Sequence, residues 1–154
     1  MSTPTPKADL FGIPVDALTM AQVVERCRQS MLARERMLIG AVNAAKIVKM
    51  RENELLRSSV LEADLVIADG MAVVWASRIL RRRLPERVTG IDLFERLLDV
   101  GHQEGLAAYF LGATPEVLEE LLRRVRERWS GLRIAGAHDG YFKDEEAEAI
   151  AEEI

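Results

Sequence analysis

The chain has 154 residues, 49% hydrophobic and 30% charged, with a formal net charge of −4, enough for one globular domain with its own core. Its acidic balance lacks the basic field that nucleic-acid binders present. The single cysteine, Cys27, excludes an internal disulfide and a four-cysteine metal centre, and it falls where a small buried apolar residue serves as well.

Residues 1–9, rich in Pro, Thr and Ser, predict a loose tail, and residues 10–154 one core domain. No basic start precedes a long apolar run, and no stretch of about 18 uncharged apolar residues occurs, so neither export nor a membrane span is expected. "LFGIPVDAL" predicts a short extended segment with turn residues Gly12 and Pro14. Thr19 reads as the N-cap of a helix to about Ala33. "MLIGAVN" is apolar without polar alternation, as a parallel strand covered on both faces should be, and Asn43 ends it.

Apolar residues then recur at helical spacing from Ala44 to about Arg57 and predict one helix; "ADLVIA" supplies a second buried strand, and a further helix runs from about Gly70 to Arg82. After the loop "RLPERVTG", Thr89 and Asp92 stand at capping-box spacing ahead of the helix "IDLFERLLDVGHQEG". "LAAYFLG" is the third strand. Thr114 and Pro115 begin a helix whose apolar stripe is Val117, Leu118, Leu121, Leu122, Val125 and Trp129. Glu119 with Arg123 and Glu120 with Arg124 make ion pairs on its wet face. "LRIAGAHDGYF" is the fourth strand with its loop, and "KDEEAEAIAEEI" opens a last helix.

Strands alternating with helices predict an α/β fold, a Rossmann-like parallel sheet flanked by helices on both faces. Ligands of such sheets bind outside the carboxyl ends of the strands. The residues there are Asn43, then Asp69 and Gly70, then Gly112 to Thr114, then His138 to Tyr141.

No G-x-G-x-x-G or G-x-x-x-x-G-K-[ST] is present, which argues against a nicotinamide dehydrogenase and a P-loop kinase. No D-x-D lies on the carboxyl edge, and His102 and His138 lack metal-ligand spacing, so no metal site is expected. Asp69, at the mouth of a buried strand, suits a base taking a proton from a sugar hydroxyl, but equally a helix cap. Arg87 suits a bidentate phosphate contact, or a solvated loop cation. The turn Gly112, Ala113, Thr114 suits phosphate or ribose oxygens, although small turns serve many α/β proteins. Arg81, Arg82 and Arg83 suit an anionic lipid surface or a polyprenyl phosphate, but cations at a helix C-terminus are favourable without any partner. His138 and Asp139 suit an acid/base pair or an ordinary turn.

"VNAAKIV", "ADLVIADGMAVV", "RVTGIDLFERLL", "YFLGATPEVLEELLRRV" and "GAHDGYF" together resemble, in order and spacing, the WecG/TagA/CpsF family of bacterial glycosyltransferases. "NAAK" and "DGYF" look most like its N-acetylmannosaminyl branch. The resemblance implies an inverting transferase, needing no metal and no cofactor, that moves N-acetylmannosamine or its uronic acid from UDP to N-acetylglucosamine on undecaprenyl diphosphate. It would act in cell-envelope polysaccharide or teichoic acid synthesis, at the cytoplasmic face of the cell membrane, as a peripheral protein and a homo-oligomer.

By the same resemblance Asp69 is the base and Arg87 offsets charge on the departing diphosphate. Asn43, Gly70, Gly90, Asp92, Gly112, Ala113 and Thr114 are expected to contact substrate. Ala41 stands where the family usually has threonine. Relatives continue past "AIAEEI" into a P-x-Q-E motif and a basic segment, so the chain is expected to be a core cut short, weakly active alone. The alternative is a non-catalytic nucleotide- or subunit-binding module.

Overall fold

The computed structural model describes residues 5–154, in two compact units that divide after residue 96. The chain is mixed α/β. Its strands pair two by two among the described residues, in place of the single sheet expected.

The first unit opens with a hairpin, β1 (Lys7–Leu10) and β2 (Ile13–Asp16), paired antiparallel with Leu10 opposite Ile13. The sequence predicted a loose tail over residues 7–9. They are instead strand because Ala8 and Leu10 face the core, while residues 1–4 lie outside the described residues. The two-residue loop Phe11–Gly12 takes φ of 59° and 76°, the left-handed pair that a tight hairpin requires. Buried Asp16 then joins the hairpin to the next layer: its carboxylate accepts the Val66 N–H at 2.7 Å, and Thr5 and Lys7 also reach it.

Helix α1 (Met20–Ala33) starts as expected at Thr19, whose hydroxyl accepts the Gln22 N–H while Gln22 Oε1 accepts the Thr19 N–H, a complete capping box. Strands β3 (Ile39–Val42) and β4 (Leu65–Ala68) pair parallel, Ala41 beside Ile67. Between them the single helix expected over 44–57 is two, α2 (Ala44–Lys49) and α3 (Glu54–Leu61). The break has a local cause: Asn53 Oδ1 accepts the Leu56 N–H at 2.8 Å and starts a new helix.

Helix α4 (Met71–Ile79) follows β4 and ends where Arg81 turns left-handed, at φ 56°, and Arg82 N–H returns to the Ser77 carbonyl. Leu10, Ile13, Val15, Val42, Met50, Val66, Val73 and Val74 form this unit's core, each at most 1–2% exposed.

Helix α5 (Gly90–Glu104) runs into the second unit. There β5 (Ala107–Leu111) and β6 (Arg133–His138) pair parallel, joined by α6 (Pro115–Arg128). Val125 and Leu118 of the predicted stripe pack with Trp129, Phe110 and Leu98. The Trp129 indole N–H is satisfied by Asp99 at 2.6 Å. On the wet face Glu120 bonds both Arg123 and Arg124 at 2.7 Å, and Arg123 turns to Glu127, not to Glu119 as expected. A 3₁₀ turn (Asp144–Glu146) leads into α7 (Ala147–Glu153).

Candidate active site

At the carboxyl ends of β3 and β4 the chain leaves the sheet at Asn43 and Asp69. The ladder runs one bond further than the strands, Asp69 N–H to the Val42 carbonyl at 2.8 Å. That bond fixes Asp69 at the rim, half-buried and directly before α4. Gly70 caps that helix at φ 157°, ψ 139°, backbone that a side chain rarely adopts. A Cβ at Gly70 would lie 3.6 Å from that of Asn43, so the two strand exits touch.

Asn43 works as a cap. Its Oδ1 accepts the Lys46 N–H at 2.8 Å, which commits the carbonyl end of the amide to α2 and leaves the NH₂ end as the donor available to a ligand. Between α2 and α4 lies an apolar cavity of about 290 Å³. Ala44, Ile47, Ala72, Val73 and Phe11 line it, with Arg51.

The loop carrying Arg87 is held at two points. Leu84 is buried and donates its N–H to Ser77 Oγ at 3.1 Å, and that hydroxyl donates to the Val74 carbonyl. Val88 is buried too, and its N–H reaches the Ala68 carbonyl at 3.0 Å. Between these anchors Arg87 is exposed, with no hydrogen bond or ion pair among the described residues. Ser77 and Val88 are the supports that motif reading misses; a lone serine within an apolar helical face was the signal for the first.

Helix α5 begins at the same rim. Thr89 Oγ1 accepts the Asp92 N–H at 3.1 Å, so the expected cap forms, although no side-chain bond from Asp92 completes the box among the described residues. A Cβ at Gly90 would stand 3.6 Å from Asp69 Oδ2. Asp69 thus faces the start of α5, where a negative charge is favourable. Asn43, Asp69, Gly70 and Gly90 therefore converge, with Arg87 two residues before the cap Thr89; Asp92 is exposed on the first turn of α5.

In the second unit Gly112 and Ala113 take φ of 129° and 65°. Thr114 caps α6 by accepting the Val117 N–H, with Pro115 at the first helical position. The turn is tied to the exit of β6, Gly112 N–H to the His138 carbonyl at 3.0 Å and Gly140 N–H to the Ala113 carbonyl at 2.9 Å. Its backbone stays small and open toward the helix N-terminus, a geometry suited to an anion. His138 and Asp139 do not form a side-chain pair. The Asp139 carboxylate takes the Tyr141 N–H, while His138 Nδ1 meets the Asp139 carbonyl and its ring stands edge-on to Phe142. Among the described residues no group of three or more His, Cys, Asp or Glu gathers as a metal site.

An α/β chain whose polar residues collect at the carboxyl ends of parallel strands belongs to the ligand-binding class of that architecture. Within that class, residues 8–154 match the Glycosyl transferase WecG/TagA/CpsF family, and the chain belongs to it. It is a glycosyltransferase of cell-envelope polysaccharide synthesis, from a family that uses a nucleotide-sugar donor and a lipid-linked acceptor. None of its described helices is long and apolar enough to cross a membrane.

Proposed function

We propose that the protein transfers N-acetylmannosamine, or its uronic acid, from UDP to N-acetylglucosamine on undecaprenyl diphosphate, inverting the anomeric centre without a metal. In this reading Asp69 takes the proton of the acceptor hydroxyl as that oxygen bonds the anomeric carbon. The bond from that carbon to the diphosphate breaks on the opposite face, its electron pair leaving with UDP, and Arg87 offsets the charge that develops. The Asn43 NH₂ and the backbone at Gly70 and Gly90 contact the sugars, with Asp92 beside them; the turn Gly112–Thr114 of the second unit, taken by itself, suits phosphate or ribose oxygens of a nucleotide. Each parallel pair, with its crossover helices, is a Rossmann-like element, and the protein works at the cytoplasmic face of the cell membrane.

The observation that carries this reading is the placement of the Asp69 carboxylate at the strand rim, against the start of α5, on the β4 end to which the Arg87 loop is pinned. The apolar cavity between α2 and α4 supports a polyprenyl-linked acceptor. Incubation with UDP-N-acetylmannosamine and a soluble lipid-linked N-acetylglucosamine analogue, in the presence of EDTA, tests it. A product of inverted configuration is expected. UDP binding without turnover favours the non-catalytic module, for which Ala41 in place of a hydroxyl speaks, and absence of UDP binding overturns both.

A further inference from the structure

Helix α4 carries apolar residues on two faces. Val73, Val74 and Ser77 are buried, as a core-facing stripe should be. Met71, Trp75 and Ile79 recur every fourth residue on another side and are 38%, 57% and 81% exposed, with Leu80 following at 43%. Four cations accompany this outer stripe: Arg78 within the helix, and Arg81, Arg82 and Arg83 just past its end.

The charge is one-sided. Residues 71–85 contain no Asp or Glu, although the chain as a whole carries −4. None of the four guanidinium groups has a hydrogen bond or ion pair among the described residues. The nearest acid in sequence, Glu86, is engaged by the Met20 N–H. A favourable helix terminus accounts for cations in the last turn, but not for an exposed tryptophan and isoleucine beside them.

We propose that this face of α4, with Arg78 and Arg81 to Arg83, is a docking surface for an anionic phospholipid bilayer. Tryptophan settles at the boundary of headgroups and acyl chains, isoleucine and methionine enter the apolar layer, and arginines hold lipid phosphates while their stems lie along the surface. A second copy of the chain is a poorer occupant, since a two-fold contact through this face sets four arginines against four with no acid between them. The stripe begins at Met71, next to Gly70, so docking lays the Asp69 end of the helix at the lipid surface, where a lipid-linked acceptor resides. The inference does not depend on the role given to Asp69.

Cosedimentation with vesicles of phosphatidylcholine alone, and of phosphatidylcholine mixed with phosphatidylglycerol, tests it. The protein should partition onto the anionic vesicles only, less so as salt rises. R81Q/R82Q/R83Q and the double variant Trp75→Ser, Ile79→Ser should each lower that partition about tenfold or more, with unchanged circular dichroism. Trp75 emission in the unaltered protein should shift to the blue on anionic vesicles, Trp129 being buried already at 6% exposure. Absence of binding, absence of the shift, or equal binding by either variant overturns the proposal. So does ultracentrifugation in which the Trp75, Ile79 variant dissociates an oligomer while vesicle binding persists.

Discussion

Val88 donates its backbone N–H to the carbonyl of Ala68 at 3.0 Å, and this one bond seats the Arg87 loop beside the strand end that presents Asp69. Leu84 and Val88 carry the burial of this loop, while Arg87 is exposed with no hydrogen bond or ion pair among the described residues. Arg87→Ala should leave the melting temperature within the range of an ordinary surface change, about 0.5 kcal/mol, while transfer falls about tenfold or more through lost stabilisation of the leaving diphosphate. Arg87→Lys should recover only part, since an ammonium lacks the planar fork. Paired melting and steady-state measurements read both effects.

Asn43 has two separable tasks. Asn43→Ala removes the cap on α2 and should cost about 1 kcal/mol of stability, together with the NH₂ donor. Asn43→Asp retains an oxygen for the Lys46 N–H and should fold like the parent, yet raise KM by losing the donor. Equal kinetics for Asn43→Asp and the parent would remove Asn43 from the substrate contacts.

Asp16 is a structural acid, 4% exposed and far from the proposed chemistry in role. Asp16→Ala leaves the buried Val66 N–H without its 2.7 Å acceptor and should cost about 1–3 kcal/mol in urea unfolding. Asp16→Asn, which keeps one acceptor oxygen, should cost less.

Hydrogen bonds from Arg123 and then Arg124 hold the Glu120 carboxyl down at about 2. A folded-state value below the unfolded one adds stability that is present above the unfolded carboxylate range and lost as pH falls through it toward 2. The side chains are exposed, so the effect is small and salt-sensitive. Glu120→Gln should slightly flatten the acid limb of a melting-temperature profile, and a carboxyl titration by NMR should place Glu120 near 2.

Local signals in the sequence were reliable where the cause is local. Thr19, Thr89 and Thr114 each cap the helix their spacing announces, since a cap needs only residues three apart, whereas the cap that Asn43 makes on α2 is seen only in the structure. The carboxyl-edge position of Asp69 followed from an apolar strand running into a helix. What failed depends on distant or concealed partners. The hairpin over residues 7–16 looks in sequence like a loose tail and an extended segment, because its turn places Phe11, not an Asn or Gly, at positive φ and because Asp16 finds its partner 50 residues away. The break at Asn53 was hidden inside a helical apolar rhythm. The pin between Val88 and Ala68 uses backbone atoms alone, which no side-chain pattern reveals, and the outward turn of Trp75 and Ile79 was masked by the apolar character of their neighbours.

The most direct measurement of the central claim compares the protein with Asp69→Asn, which keeps size and shape but cannot take a proton. Turnover with UDP-N-acetylmannosamine and the lipid-linked acceptor analogue should fall about a hundredfold or more, while UDP affinity by calorimetry stays within about twofold. Transfer by Asp69→Asn at the unaltered rate would contradict the account.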